Sequence, residues 1–147
     1  MILEIKKVST KDILSIRQQV LRNGKPIKEC LFDGDNLETT QHFGLYKYQK
    51  ITAIATIMKD NSIAFSHLKQ FRLRGMAVLP EFQHLGLGKK LLSYCEKEIA
   101  KQAPTLLWFN ARTKAVPFYS KQQFKVYGEE FNIPNVGPHY LMYKSYE

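Results

Sequence analysis

The apolar run Met76-Ala77-Val78-Leu79, closed by Pro80, is followed almost at once by Gln83-His84-Leu85-Gly86-Leu87-Gly88-Lys89-Lys90. This order predicts a strand, a short glycine-bearing loop and then a helix. The helix carries Leu91, Leu92, Cys95 and Ile99 on one face at a 3.6-residue period, so that face has to be buried against other elements. Loop amides and the positive end of the helix dipole then converge on one spot, which suits a bound phosphate.

The flanking segments predict what surrounds this unit. Residues 3–8 read as a first strand. Thr10 caps a helix running to about Arg22, with Ile13, Leu14, Ile16, Val20 and Leu21 as its apolar stripe. Residues 23–40 hold Gly24, Pro26, Gly34 and several acids, so they read as a long loop of the kind that is usually functional or mobile. Residues 42–48 and 51–59 form a hairpin across Gln49-Lys50, and 71–79 is the strand leading into the loop. Pro104 precedes the apolar strand Leu106-Leu107-Trp108-Phe109, which ends at Asn110. A short helix then carries Ala115, Val116, Phe118 and Tyr119, and 124–131 with 139–144 close the chain as an antiparallel pair. Mixed strands and helices with hairpins at both ends predict an α/β or α+β class around one sheet, in a single domain spanning 1–147.

Composition narrows the partners. An apolar content of 44% and an aromatic content of 12% oppose disorder. The net charge of +9 is scattered, and it lacks the aromatic interleaving, zinc-finger spacing or basic-zipper pattern of a nucleic-acid reader, so no nucleic acid is expected. A phosphorylated small ligand accounts for part of that charge and solubility for the rest. The start of the chain is too charged for a signal peptide, and no run approaches the roughly 20 apolar residues of a membrane span. The expectation is a cytoplasmic protein with no membrane association. Cys30 and Cys95 then stay reduced, and His42, His67, His84 and His139 lack metal-ligand spacing, so no metal is expected.

Two familiar phosphate loops fail position by position. A Walker loop requires Gly at 83 and Ser or Thr at 90, where this chain has Gln83 and Lys90. A dinucleotide fingerprint opened by Gly86 and Gly88 requires Gly at 91, where Leu91 stands. What remains, Gln-x-x-Gly-x-Gly at the start of an amphipathic helix after a strand, resembles the acetyl-coenzyme A loop of the GNAT superfamily of N-acetyltransferases. The resemblance implies that residues 83–90 bind the coenzyme pyrophosphate, with Lys89 or Lys90 adding charge. It also implies that backbone N–H groups of Met76, Ala77 and Val78 bind the thioester oxygen.

Asn110-Ala111-Arg112-x-x-Ala115-x-x-Phe118-Tyr119 is similar to the next element of the superfamily. By that likeness Asn110 holds the pantetheine arm and Phe118 lies at the cofactor. Tyr119 would protonate the departing thiolate, as a phenol with a pKa of about 10 can at neutral pH. An aromatic pair packed on the sheet is the alternative for Phe118 and Tyr119. The superfamily commonly has Gly where this chain has Gln123, so the turn after Tyr119 is expected to depart from the usual geometry. Arg17-x-x-Val20-Leu21, Phe32-Asp33-Gly34-Asp35, Thr39 with His42, and Gly137-Pro138-His139-x-x-Met142 resemble the ElaA-like branch. The implied fold is a mixed, mostly antiparallel sheet of six to seven strands flanked by helices.

The implied activity is direct transfer of an acetyl group from acetyl-coenzyme A to a primary amine of a small molecule or peptide. A non-catalytic acyl-coenzyme A sensor or scaffold with the same fold is the alternative. For the proton route His139 and His42 are candidates, with Glu81 and Glu130 behind them. A structural role competes for each histidine. Asp35 and its neighbours Asp33 and Glu38 could hold a cationic amine, and Arg74, Arg17 or Arg22 an acidic group, while a solvated loop is the alternative for the acids. The acceptor-side candidates are thus Asp35, His42, Arg74 and His139. Dimers are common in the superfamily, so a homodimer stays open.

Overall fold

A computed structural model describes residues 2–67 and 69–147; Met1, which opens the N-terminal stretch read above, and Leu68 lie outside the described residues. Seven strands follow the order β1-β2-β3-β4-β5-β7-β6 in the sheet. They are β1 (Leu3–Val8), β2 (Gln41–Lys47), β3 (Lys50–Lys59), β4 (Gln70–Val78), β5 (Thr105–Arg112), β6 (Lys125–Ile133) and β7 (Gly137–Tyr146). The helices are α1 (Thr10–Ile16), α2 (Leu87–Ala100) and α3 (Val116–Lys121). By its contacts the chain divides into two units, the described residues up to Lys59 with Leu73–Glu98, and Asp60–Arg72 with Ile99–Glu147.

In the first unit β1, β2 and β3 form an antiparallel meander. Pairing of His42 with Thr56 and of Gly44 with Ile54 puts these four on one face, and Phe43 and Leu45 on the other. Helix α1 covers the first face, with Ile13 and Ile16 in one buried cluster with Ile54, Ala77 and Leu79. Helix α2 reaches the second face, where Tyr94 meets Phe43 edge-on with centroids 5.4 Å apart. Opposite-face cover explains the unbroken burial of β3 from Thr52 to Met58.

The predicted first helix differs at both ends. Ser9, not Thr10, is the N-cap, and the Asp12 carboxylate accepts from the Ser9 amide at 3.0 Å and its hydroxyl at 2.9 Å. The α-helix stops at Ile16, and Arg17–Leu21 is a π-helical turn in which the Arg22 amide donates to the Arg17 carbonyl at 3.0 Å. Arg17, four residues after Ile13 and next to Ile16, is buried on the same inward face as both.

In the second unit β5 lies between 70–72 of β4, which it pairs in parallel, and β7, which it pairs antiparallel. Thr105 to Phe109 are all buried, as expected of a strand covered on both faces. Helix α3 packs Tyr119 onto Phe109, centroids 4.4 Å apart, and onto Phe124 at 6.2 Å. The turn after α3 corrects the expectation of altered geometry. Gln123 adopts φ 74°, the left-handed conformation glycine would take, with its amide donating to Ser120 and that of Phe124 to Tyr119. This is a Schellman closure made with a glutamine, whose Cβ adds strain of about 1 kcal/mol.

Candidate functional site

In the first unit β4 ends at Val78 and a short 3-10 turn, Pro80–Phe82, reverses the chain. The Gln83 side-chain amide donates to the Val78 carbonyl at 3.0 Å, so Gln83 ties the loop to the strand end. His84 and Gly86 take left-handed conformations, φ 64° and 78°, and a Cβ added at Gly86 would meet open space. Helix α2 begins at Leu87, two residues ahead of a helix starting after Gly88, and the buried Leu87 side chain anchors that turn in the core. The Lys90 amide donates to the Gly86 carbonyl at 3.2 Å, so the amides of Leu87, Gly88 and Lys89 precede the helical ladder. Leu85, Gly86, Lys89 and Lys90 are exposed. Backbone donors and two ammonium groups at a helix N-terminus fit a pyrophosphate in charge and in hydrogen-bond type.

Met76 and Val78 are half-buried on β4, and Ala77 is buried. Arg74, one turn of the pleat earlier, lies with its guanidinium 4.4 Å from the centroid of Phe32. Arg17 and Arg22 face the same ring at 3.9 and 5.1 Å.

Asp35 and His42, expected at the acceptor, are instead buried in this unit's core. Asp35 takes Arg17 in a two-pronged pair at 2.6 and 3.1 Å and also accepts the Phe32 amide at 2.7 Å. Burial pushes the Asp35 carboxyl up, but the bonds from Arg17 and Phe32 and the Arg17 charge outweigh it, and the net shift is downward. Arg17 further donates to the Cys30 carbonyl and the Thr56 hydroxyl, each at 2.9 Å. The long loop is therefore pinned at Cys30, Phe32 and Asp35, while Asp33 and Glu38 are exposed as a solvated loop would have them.

The protons on His42 follow from its partners. The Asp35 carbonyl, 2.9 Å from Nε2, can only accept, so Nε2 carries the hydrogen. Nδ1 then accepts from the Thr56 hydroxyl at 2.7 Å, and that oxygen accepts from Arg17. This relay works only with a neutral imidazole. Burial depresses the His42 pKa below 6.5, with the Arg17 charge adding to it against the Asp35 contacts. Because the unfolded chain binds more protons below 6.5, stability should fall as pH drops through that value toward the depressed one. Unfolding free energies from urea titrations between about pH 7.5 and 5.5 should decline with a slope of up to about 1.4 kcal/mol per pH unit. A His42→Gln variant should lose that step; an unchanged step in the variant would refute the assignment.

In the second unit Asn110 is half-buried on β5 opposite Leu141, Phe118 is exposed on α3, and Tyr119 is half-buried. His139 is buried on β7 between Arg112 of β5 and Phe131 of β6, and its ring stacks on Phe131. Its Nδ1 donates to the Gly137 carbonyl at 2.7 Å, which leaves the Nε2 lone pair as the basic position of the neutral ring. A surface cavity of about 230 Å³ lined by Arg112, Thr113, Lys114, Val136 and Pro138 borders this strand pair. Glu130 accepts from the Thr113 hydroxyl at 2.8 Å. Cys30 and Cys95 are free and buried, and burial pushes the Cys95 thiol up. Among the described residues no group of three acidic, histidine or cysteine side chains gathers for a metal, and no helix is long and apolar enough to cross a membrane.

Residues 25–137 match the family model for the acetyltransferase (GNAT) domain. The chain belongs to the GNAT acetyltransferase family. YitI of Bacillus subtilis strain 168, an uncharacterised N-acetyltransferase, is 32% identical over 143 residues, 97% of this chain and 96% of that protein. The crystal structure of Escherichia coli ElaA shares the fold at a TM-score of 0.78 and 18% identity, covering 98% of this chain and all of that one. An aminoglycoside 6'-N-acetyltransferase solved with coenzyme A shares it at a TM-score of 0.74 and 12% identity, over 99% and 97% of the two chains. Family membership makes the chain an acyltransferase, and its seven-stranded sheet with flanking helices is the GNAT arrangement.

Thr56, Phe32 and Gly75 were not legible as parts of one network with Arg17. The available signal was Gly75 itself, an isolated glycine inside a strand pattern, which marks a close backbone approach.

Proposed function

We propose that this chain moves an acetyl group from acetyl-coenzyme A directly to a primary amine of a small molecule or peptide. The observation that carries the reading is the loop of residues 83–90, where exposed backbone and two lysines meet the free amides of the first turn of α2. Those amides and Lys89 or Lys90 would hold the pyrophosphate. Acetyl-coenzyme A supplies the acetyl group in activated thioester form. Backbone N–H groups on the Met76–Val78 strand would donate to the carbonyl oxygen as it gains charge. Asn110 would orient the pantetheine amides, with Phe118 beside it.

Tyr119 would hold its phenolic proton at Oη and deliver it to the sulfur as the thiolate leaves. Nε2 of His139 is the candidate for taking the proton of the amine, since its Nδ1 is already committed to Gly137. Arg74, with Arg22 beside it on Phe32, suits an acidic group on the acceptor. The two free cysteines accord with work in the reducing cytoplasm.

Calorimetry with acetyl-coenzyme A should show saturable one-to-one binding that weakens when Gly86 becomes Val, since a β-branched residue is strained at φ 78°. Coenzyme A release across a panel of polyamines, amino sugars, amino acids and lysine peptides should then identify the acceptor class. Failure of the wild-type chain to bind acetyl-coenzyme A would sink the cofactor assignment. Tight binding with no release on any amine would favour a sensor.

A further inference from the structure

Three locally unfavourable features of the first unit meet at a single contact. The π-helical turn that begins at Arg17 interrupts a good helix, and such turns are rare. Arg17 is 0% exposed, and its pairing with Asp35 does not relieve it fully: Nε is buried with no hydrogen-bond partner among the described residues. Gly75 sits within β4 at φ +60°. A Cβ built on Gly75 would lie 3.0 Å from Cε2 of Phe32 and 3.1 Å from Nε of Arg17.

We infer that Arg17, held by Asp35, is a positioning residue for the thioester-binding backbone of β4. Its guanidinium and the Phe32 ring form the floor on which Gly75 seats, and that seat sets the amides of Met76, Ala77 and Val78. The inference rests on the acetyl-coenzyme A reading above and assigns these residues a part in it.

A methionine or leucine would fill the volume of Arg17 without the desolvation of a buried ion pair. What an aliphatic chain lacks is orientation. The planar guanidinium is fixed by Asp35, the Cys30 carbonyl and the Thr56 hydroxyl, three points on two loop positions and a strand. Phe32 lies against its face at 3.9 Å, and the Phe32 amide is itself tied to Asp35. Plate and ring thus make a wall with one allowed position, and only a residue without a Cβ comes that close to it. The left-handed turn at Gly75 follows, and the next residue in the chain is Met76. An error of about 1 Å in such a constellation is enough to cost about 10²-fold in rate.

The test reads the carbonyl directly and requires no acceptor. Acetyl-coenzyme A isotope-labelled at its thioester carbonyl is bound to the full chain, and the carbonyl stretch is measured by isotope-edited infrared difference spectroscopy. Donation from the β4 amides should lower the bound frequency relative to free acetyl-coenzyme A. Gly75→Ala, and the apolar replacement Arg17→Met with Asp35→Leu, should lose most of that shift while acetyl-coenzyme A affinity stays within about two-fold. On an active acceptor both should lower kcat by about 10²-fold with KM for acetyl-coenzyme A nearly unchanged.

Should Gly75→Ala fail to fold, the apolar double variant and Phe32→Leu, at a half-buried ring, supply folded chains for the same measurement. A wild-type frequency retained in folded variants would overturn the positioning role, as would the absence of any shift in the bound wild-type complex. A wild-type chain that binds no acetyl-coenzyme A overturns the cofactor reading and this inference together, which distinguishes the two failures.

Discussion

Asp35→Ala should destabilise the protein by about 3–5 kcal/mol, the penalty of leaving a buried cation uncompensated. Arg17 has no route to water in the native state, since its side chain is 0% exposed. Removing the carboxylate strips both terminal nitrogens of their main acceptor and also orphans the Phe32 amide. Against a whole-protein stability of about 5–15 kcal/mol, that loss should lower the melting temperature by about 10 °C or more. Asp33→Ala, two residues away and exposed, should stay within about 0.5 kcal/mol of wild type. The Arg17→Met, Asp35→Leu double variant should recover most of the stability, because it removes both charges together. Urea denaturation of the four chains decides the matter. A loss below about 1 kcal/mol for Asp35→Ala would mean the pair is solvated, contrary to its burial.

Tyr119→Phe should lower turnover by about 10²-fold or more, within the usual contribution of a positioned general acid. The ring stays, so its packing on Phe109 and Phe124 is preserved and the fold should tolerate the change. Acetyl-coenzyme A affinity by calorimetry should remain within about two-fold, because the loop of residues 83–90 is untouched. Tyr119→Ala should instead lose stability as well as activity, by removing an aromatic contact 4.4 Å from Phe109. Full turnover in Tyr119→Phe would return Tyr119 to a packing role alone.

The elements that proved legible are those with strong local periodicity. The stripe Leu91, Leu92, Cys95, Ile99 placed α2, and the continuous run at Leu106 to Phe109 placed a strand buried on both faces. Boundaries slipped by one to three residues where anchoring comes from elsewhere, as at Leu87, whose burial starts α2 early, and in β7, whose ladder with β5 runs from His139 to Tyr146. The π turn at Arg17 was not legible. Its sequence continues a good helix, and nothing local marks Arg17, on the apolar face four residues after Ile13, as the partner of Asp35 eighteen residues away.

Candidate site residues divided along the same line. The strand, loop and helix around residues 83–90 formed as read, since a glycine-bearing loop before an amphipathic helix can form in few ways. The burial of Asp35 and His42 was not legible, because an exposed acid and a buried one read alike in a polar loop, and the face of a strand histidine depends on which side a helix covers. Gln123 is the converse case: its identity argued against a left-handed turn, and the Schellman bonds from Gln123 and Phe124 impose that turn nonetheless.

By itself, then, the sequence determined the strand, loop and helix around residues 76–90, the mixed sheet, and the GNAT likeness, because apolar period and glycine placement act over a few residues. Tertiary structure alone decided which polar groups lie inside. It buried Arg17, Asp35, His42 and Thr56 as one relay and brought Gly75 onto Arg17 and Phe32. Burial of charge depends on partners fixed by the whole fold, and no local pattern encodes those distances.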